Sequence, residues 1–381
     1  MMKKDKNLGI YFHIPFCEQK CLYCDFTSFV CSRETISKYI SCLGEEVKLK
    51  QSLWEERPVD TIFVGGGTPS ILNPDEIYKL GEVINSFNLS KDIEFTIESN
   101  PNSLTIEKLK AFKEIGVNRI STGVQSTNER LLKSIGRIHN LDQVYKAVEN
   151  IKSVEIDNFN LDFMMALPNE KLKDVKENLK HIEVLNPTHI SYYSLIIEEK
   201  TPMAKIYEGN PSLFPDERED REMYHNIINS LKHMGYHQYE ISNFAKEEME
   251  CRHNLKYWTL EDYLGFGLSS HSNISNERFC NTKDLNKYFQ MTKAGVLPEA
   301  EREVLTLKDR MNEFIIMGLR LEKGVDIKLF KEKFEMDFED YYKDEIHDMV
   351  SEKLCTFDGE YLKTTTYGKD ILNVVELTFI K

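Results

Sequence analysis

The stretch GIYFHIPFCEQKCLYCDFTSF, residues 9–29, decides how the rest of the chain is read. Its first part, Ile10 to Ile14, is β-branched and aromatic, which predicts a buried strand ending at Pro15. Cys17, Cys21 and Cys24 follow on a short loop, separated by three and then two residues. Fixed by a strand behind it, such a loop can wrap three thiolates around one corner of a metal cluster. A structural zinc site wants four protein ligands, usually as two Cys-x2-Cys pairs, and a disulfide pair would leave one thiol over. An iron–sulfur cluster held by fewer than its usual four thiolates fits better. Zinc and a redox thiol group are the alternatives. Three Cys on a cubane leave the fourth iron open to a small chelating molecule.

Outward from this loop the chain alternates strand and helix. Strands are expected at 60–64, 93–98, 119–125, 156–164 and 189–196, and helices at 34–55, 73–87, 105–115 and 171–184. Asn73-Pro74 opens the second helix as cap and first-turn proline. Strand-then-helix units of about 30 to 40 residues indicate parallel strands with helical crossovers, in an α/β barrel or an open sheet. The polar and glycine residues decide for a barrel. Gly65 to Thr68, Glu98 with Asn100, Gln125, and Asp162 each fall at the C-terminal end of an expected strand, where barrel enzymes build their sites.

Roles follow from chemistry. Gly66 and Gly67 remove side chains so that backbone amides can approach a ligand. Glu98 can accept from a ligand ammonium, Gln125 and Asp162 suit ribose hydroxyls, and Arg137 suits a carboxylate. The glycine run is not a phosphate loop, because no Gly-Lys-Ser/Thr follows it.

Composition sets bounds. A net charge of -14 argues against a broad nucleic-acid footprint. No apolar run approaches the roughly 20 residues that span a bilayer, and MMKKDKNLG lacks the apolar core of a signal peptide. A cytoplasmic protein is expected. The remaining cysteines, Cys31, Cys42, Cys251, Cys280 and Cys355, have no pairing rhythm and read as small buried side chains.

Further on, a helix is expected at 214–234 and a Tyr-rich strand at 238–242, followed by CRHNLKYW at 251–258. His253 beside Tyr257 and Trp258, flanked by Arg252 and Lys256, suits a flat anionic ring: imidazole on iron, aromatics on the macrocycle, cations near propionates. The competing reading is a histidine satisfied by packing. The turn GFGLSSH, 265–271, is either a close approach to a ligand or a tight bend. Beyond 301, three helices and a hairpin tipped by Asp358-Gly359 suggest a winged-helix-like module, acidic enough to favour packing or a partner over DNA. The expected domains are 1–235, a barrel with the cluster loop; 236–300, a linking segment; and 301–381, the C-terminal module.

Taken in order, HIPFCEQKCLYCDF, VGGGTPS, ESNP, GVQS, GRIH, NLDFMMALP and CRHNLKYW resemble the coproporphyrinogen III oxidase-like branch of the radical S-adenosylmethionine (SAM) superfamily, and within it the haem chaperones. The resemblance spans nearly the whole chain. It implies a partial (β/α)6 TIM-like barrel with a helical, winged-helix-like C-terminal domain. It also implies a [4Fe-4S] cluster on Cys17, Cys21 and Cys24, with S-adenosylmethionine closing the open iron among Tyr11, Tyr23, Gly66, Gly67, Thr68, Glu98, Gln125, Arg137 and Asp162. His253 would ligate haem, carried as cargo to an apo-haemoprotein, and His13, Cys251 or His271 would be second ligands. A homodimer is implied when the cluster is loaded. The rival in this branch is the oxygen-independent coproporphyrinogen III dehydrogenase, a radical decarboxylase. Two departures count against it: Cys24 is followed by Asp25-Phe26 where that enzyme continues Cys-x-Cys, and only eight residues precede Gly9 where it has an extension.

Overall fold

The structure, a computed structural model, describes residues 7–381; residues 1–6, part of the stretch read for a signal peptide, lie outside the described residues. Six strands define the architecture: β1 (Leu8–Ile14), β2 (Val59–Gly66), β3 (Leu89–Ser99), β4 (Arg119–Gln125), β5 (Asn158–Met165) and β6 (His189–Ser194). They pair in chain order, each parallel to the next. Crossovers of one hand between strands laid down in order put the helices on one face, and the sheet curls around the other. A doubly wound sheet would instead reverse its strand order at a switch point.

Side-chain alternation builds both faces. Ile10, Phe12 and Ile14, Ile62 and Val64, Phe95 and Ile97, Ile120 and Val124, Leu161 and Phe163 are buried in the apolar core beneath the helices. Between them Thr61, Glu94, Glu98, Arg119, Ser121, Asn160, Asp162 and His189 turn inward, where Asn160 reaches Ser121, Asp162 and His189. Reciprocal caps, Asn73 with Glu76 and Asn140 with Gln143, start the helices Pro74–Ile84 and Leu141–Ser153. The first helix, expected to run to 55, is Arg33–Leu49 followed by a 3-10 turn, Gln51–Leu53. Trp54 breaks it by folding back to donate to the Val47 carbonyl at 3.1 Å and pack on Phe87.

The barrel does not close. Strand β6 pairs antiparallel with β8 (Asn243–Ala245) and β8 with β7 (His237–Gln238), while β1 pairs parallel with β9 (Tyr263–Phe266). Beyond β9, the strands β10 (His271–Ile274), β11 (Glu277–Asn281) and β12 (Glu299–Val304) complete a 12-stranded sheet. The stretch 236–300 is therefore no linker: it supplies β7 to β11 and the start of β12, and Leu264, Phe266, Phe279 and Tyr288 join the barrel's own core. The strand expected at 238–242 is split, because Glu240 accepts from the Ser242 amide and the Asn243 side chain and turns the chain between β7 and β8.

A buried ionic knot fastens this edge. Lys50 and Glu46 form a 2.6 Å pair with side chains 1% and 0% exposed. Glu46 also accepts from the Gly267 amide at 2.8 Å and the Tyr288 hydroxyl at 2.7 Å, and Lys50 donates to the Gly265 carbonyl at 2.9 Å.

The C-terminal module has its own core, centred on Phe314, Phe330, Phe334, Phe338 and Tyr342. The helix Leu307–Leu319 leads to β13 (Val325–Asp326), then to the helices Ile327–Phe334, Phe338–Tyr341 and Lys343–Ser351 and to the hairpin β14 (Cys355–Phe357) and β15 (Tyr361–Thr364). Those three strands pair in the order β13-β15-β14, the order of a winged helix. Among the described residues no helix is long and apolar enough to cross a membrane.

Glu46→Ala leaves the Lys50 ammonium buried without its counter-charge, and should cost about 3–5 kcal/mol in chemical unfolding. A loss no larger than the roughly 1 kcal/mol of an exposed pair would show that the knot does not hold the β9 edge.

Candidate cluster and cofactor site

After Ile14 the chain leaves the sheet and returns beside itself. The Cys17 amide donates to the Phe29 carbonyl at 2.9 Å and the Phe29 amide to the Pro15 carbonyl at 2.8 Å, pinching the base of the cysteine loop. All three thiols are free and partly buried. Burial raises the Cys17 and Cys24 thiols above their ordinary range, and the charge of Cys21 raises both further. Two donors oppose this: the Thr68 hydroxyl lies 3.5 Å from the Cys17 sulfur and the Arg137 guanidinium 3.7 Å from that of Cys21. A buried thiol trio of this kind ionises only against a positive partner. Among the described residues no three Cys, His, Asp or Glu side chains converge as ligands of a single ion. With three thiols where a structural zinc ion takes four protein ligands, the trio suits a multi-iron cluster better.

The glycine turn at the end of β2 is shaped by this loop. A Cβ on Gly67 would fall 2.7 Å from the Phe16 carbonyl and 3.0 Å from the Cys17 sulfur; one on Gly66, at φ +114°, would strike the His13 ring at 2.6 Å. Their amides are already used, Gly66 donating to Glu98 at 3.0 Å and Gly67 to the Ile14 carbonyl at 2.9 Å. The expectation that these amides serve a ligand is corrected: the glycines let β2 seat the cluster loop.

Around one cleft the structure gathers Cys17, Cys21, Tyr23, Cys24, Gly66, Gly67, Thr68, Glu98, Gln125, Arg137 and Asp162. One Glu98 oxygen holds Gly66; burial, then the neighbouring Asp162, pushes this carboxyl up to about 7. Gln125 sits at φ 65°, where the register between β4 and β5 shifts, a strained backbone that turns its amide toward the cleft. Asp162 accepts from Asn160 at 2.6 Å, and burial raises its carboxyl. Arg137 lines the cleft, where it was expected to face a ligand carboxylate. It donates to Asn100 at 2.8 Å, to the Gly123 carbonyl and to Cys21, because Gly123 has no side chain to block it. Tyr11 lies beneath the cleft and does not line it, its hydroxyl 3.0 Å from His13 Nδ1. The sequence reading missed Ser99, Gly123 and Tyr193 as lining residues, and gave Asn100 no role. Tyr193 sits late in β6 as Asp162 does in β5, so the strand-end rule carried one strand further would have found it.

His253 stands elsewhere. It is 0% exposed, with Nδ1 2.9 Å from the Thr61 hydroxyl and Nε2 2.8 Å from that of Tyr257. Both ring nitrogens of this expected haem ligand are engaged by hydroxyls. His13 is likewise engaged by Tyr11 and by the Thr27 carbonyl, and Cys251 is buried against Glu94. Of the four expected haem-ligand candidates only His271 is exposed.

Residues 11–182 match the radical SAM superfamily and residues 305–371 the HemN C-terminal domain. The chain is 34% identical to the heme chaperone HemW of Bacillus subtilis, over 97% of this chain and 98% of that protein. It is 32% identical to the heme chaperone HemW of Escherichia coli, over 98% of each. Among solved structures, coproporphyrinogen III oxidase (HemN) of Escherichia coli superposes with a TM-score of 0.87 over 99% of this chain and 91% of that one, at 22% identity, which establishes the shared fold. Identity at that level from end to end, on a barrel whose cysteine loop and strand ends meet in one cleft, settles the kinship: the chain belongs to the HemW family of the radical SAM superfamily.

Proposed function

We propose that this protein is a haem chaperone that holds a [4Fe-4S] cluster on Cys17, Cys21 and Cys24, binds S-adenosylmethionine in the adjoining cleft, and passes haem to an apo-haemoprotein, working as a homodimer when the cluster is loaded. The observation that carries the cofactor reading is the partly buried thiol trio facing Thr68 and Arg137 across a cleft lined by Glu98, Gln125 and Asp162. A bound cluster supplies the electron that a sulfonium cofactor accepts. The chain's own part is to hold and shield. Thr68 and Arg137 offset thiolate charge, Glu98 receives an ammonium with its oxygen not bound to Gly66, and Asp162, fixed by Asn160, receives a hydroxyl. The haem cargo is the reading that the HemW relatives support.

Iron ligation falls to a side chain that haem can reach. His271 is exposed, and its imidazole makes no hydrogen bond among the described residues. Burial, then the cations Lys283 and Arg278, hold its pKa below the ordinary value. It is thus neutral at pH 7, as a ligand must be, and the same cations suit propionates. Thr27 of the cluster loop meets Ser269 at 3.2 Å, so this strand end adjoins the cleft.

Three outcomes are expected. Anaerobically reconstituted Cys21→Ala should lose most of its iron and sulfide; full retention would remove the cluster from this loop. Affinity for S-adenosylmethionine should rise with pH through about 7, because the Glu98 carboxyl is neutral below that value and charged above it, and an ammonium binds the charged form. This rise should be weaker in Glu98→Gln, and an identical pH profile in that variant would exclude the assigned contact. In haem titrations, His271→Ala should change the Soret spectrum and weaken binding about tenfold or more, with His253→Ala closer to wild type; the reverse ranking would return the ligand to His253. Conversion of coproporphyrinogen to protoporphyrinogen under reducing conditions with S-adenosylmethionine would replace the chaperone reading by the oxidase one.

A further inference from the structure

The C-terminal module presents a surface that neither the cleft nor the barrel core uses. In a helix-turn-helix arrangement the second helix of the pair is the one laid against a ligand. Here that place, just before the hairpin, belongs to Lys343–Ser351, nine residues and about 13 Å long. Its inner side is committed to the module: Ile346 and Met349 join the aromatic core, and Glu345 pairs with Lys381 at 3.0 Å. Asp344, His347 and Val350 face outward, with Val350 39% exposed. Together with Glu339 from the helix before and Phe357 from β14 they line an open groove of about 550 Å³.

The groove has an apolar wall and an acidic rim. Val350 stands one helical turn from Ile346, and Phe357 adds a half-buried ring. Asp344 and Asp348, also one turn apart, run along the other side of the same face, where like charges repel. Asp344, Asp348, Glu339 and Asp340 form no ion pair among the described residues, whereas Asp337 and Glu345 nearby are matched by Lys331 and Lys381. Lys343 is the only lysine or arginine among the lining residues. Such a rim repels DNA phosphates and anionic lipid headgroups. It also repels a second copy docked on this face about a two-fold axis, which would set the same carboxylates against each other. A chain that brings lysine or arginine to the rim and aliphatic side chains to the wall removes both the repulsion and the exposed apolar surface.

We propose that this groove docks a basic amphipathic helix of a partner protein, its apolar stripe against Ile346, Val350 and Phe357 and its cations against Asp344, Asp348 and Glu339. The groove's length admits about two turns, enough for anchors at i, i+3 or i+4, and i+7. The inference goes beyond the cofactor and haem readings, depends on neither, and is tested without reading either.

The test is fluorescence anisotropy on the full-length protein with a labelled synthetic helix of about 18 residues, lysine on one face and leucine at i, i+3, i+4 and i+7 on the other. The comparison probes are a glutamate–leucine peptide of the same pattern, a scrambled lysine–leucine peptide and a duplex DNA. The patterned basic peptide should bind about tenfold more tightly than any of the three, or better. Asp344→Lys should weaken it about tenfold and Val350→Ser about fivefold, the scale of one reversed charge contact and one lost aliphatic contact. Glu183→Lys, the same charge change at an exposed position of the helix Leu172–Leu185, should leave it unchanged. Equal binding of the scrambled peptide, or equal weakening by Glu183→Lys, would mean that the chain's net charge of -14 attracts the probe, and overturns the proposal. Preference for the DNA overturns it as well, as does a dimer that Asp344→Lys dissociates, which would give the groove to a second copy. Circular dichroism checks that each variant folds; should Asp344→Lys fail, Asp344→Asn, which removes the charge alone, should still weaken the peptide about threefold.

Discussion

Three thiolates brought together repel one another, and here they must meet on a loop with no regular structure of its own. The loop is therefore held from outside: pinched at its base by Phe16 and Phe29, pressed against Gly67, and faced by Thr68 and Arg137. These contacts come from the chain after β1, the turn after β2 and the connection after β4, so the sites for three sulfurs exist only where several strand ends are assembled. Burial raises the thiols, which stores a demand for positive charge that a metal cluster satisfies.

The alternation that buries isoleucine and phenylalanine under the helices also delivers carboxylates, amides and Arg119 to the inside. Arg119 is 1% exposed, with Glu94 and Asp162 close enough to balance its charge. This polar interior has a consequence for the carboxylates above it. Glu98 and Asp162 are held up in pKa by burial, a perturbation characteristic of carboxyls at functional sites.

Leaving the barrel open obliges the protein to finish its sheet in another way. Strands β7 and β8 cover one edge, and β9 to β12 extend the other, fastened by the Glu46–Lys50 knot. The helix bearing HNLKYW lies between these additions and closes the underside, while the C-terminal module packs its aromatic core separately and meets the rest through Leu260 and the Glu240–Leu321 bridge.

The Cys17, Cys21, Cys24 spacing, the strand–helix rhythm and the polar residues at strand ends were legible in the sequence, because each is set by short-range rules: loop reach, period, and the side on which crossovers leave a strand. Residue type alone did not reveal which contacts those groups make. Arg137 has the chemistry of a carboxylate ligand but lies by Cys21 because Gly123 leaves it room, and the amides of Gly66 and Gly67 are used up within the fold. The stretch 236–300 looked like a connection because short strands at sheet edges carry little periodic signal. His253 beside tyrosine and tryptophan fits a haem pocket and a packed helix equally well in one dimension. Only tertiary structure shows what surrounds that ring, Thr61 at one nitrogen and Tyr257 at the other, since burial and hydrogen bonding depend on neighbours far away in the chain.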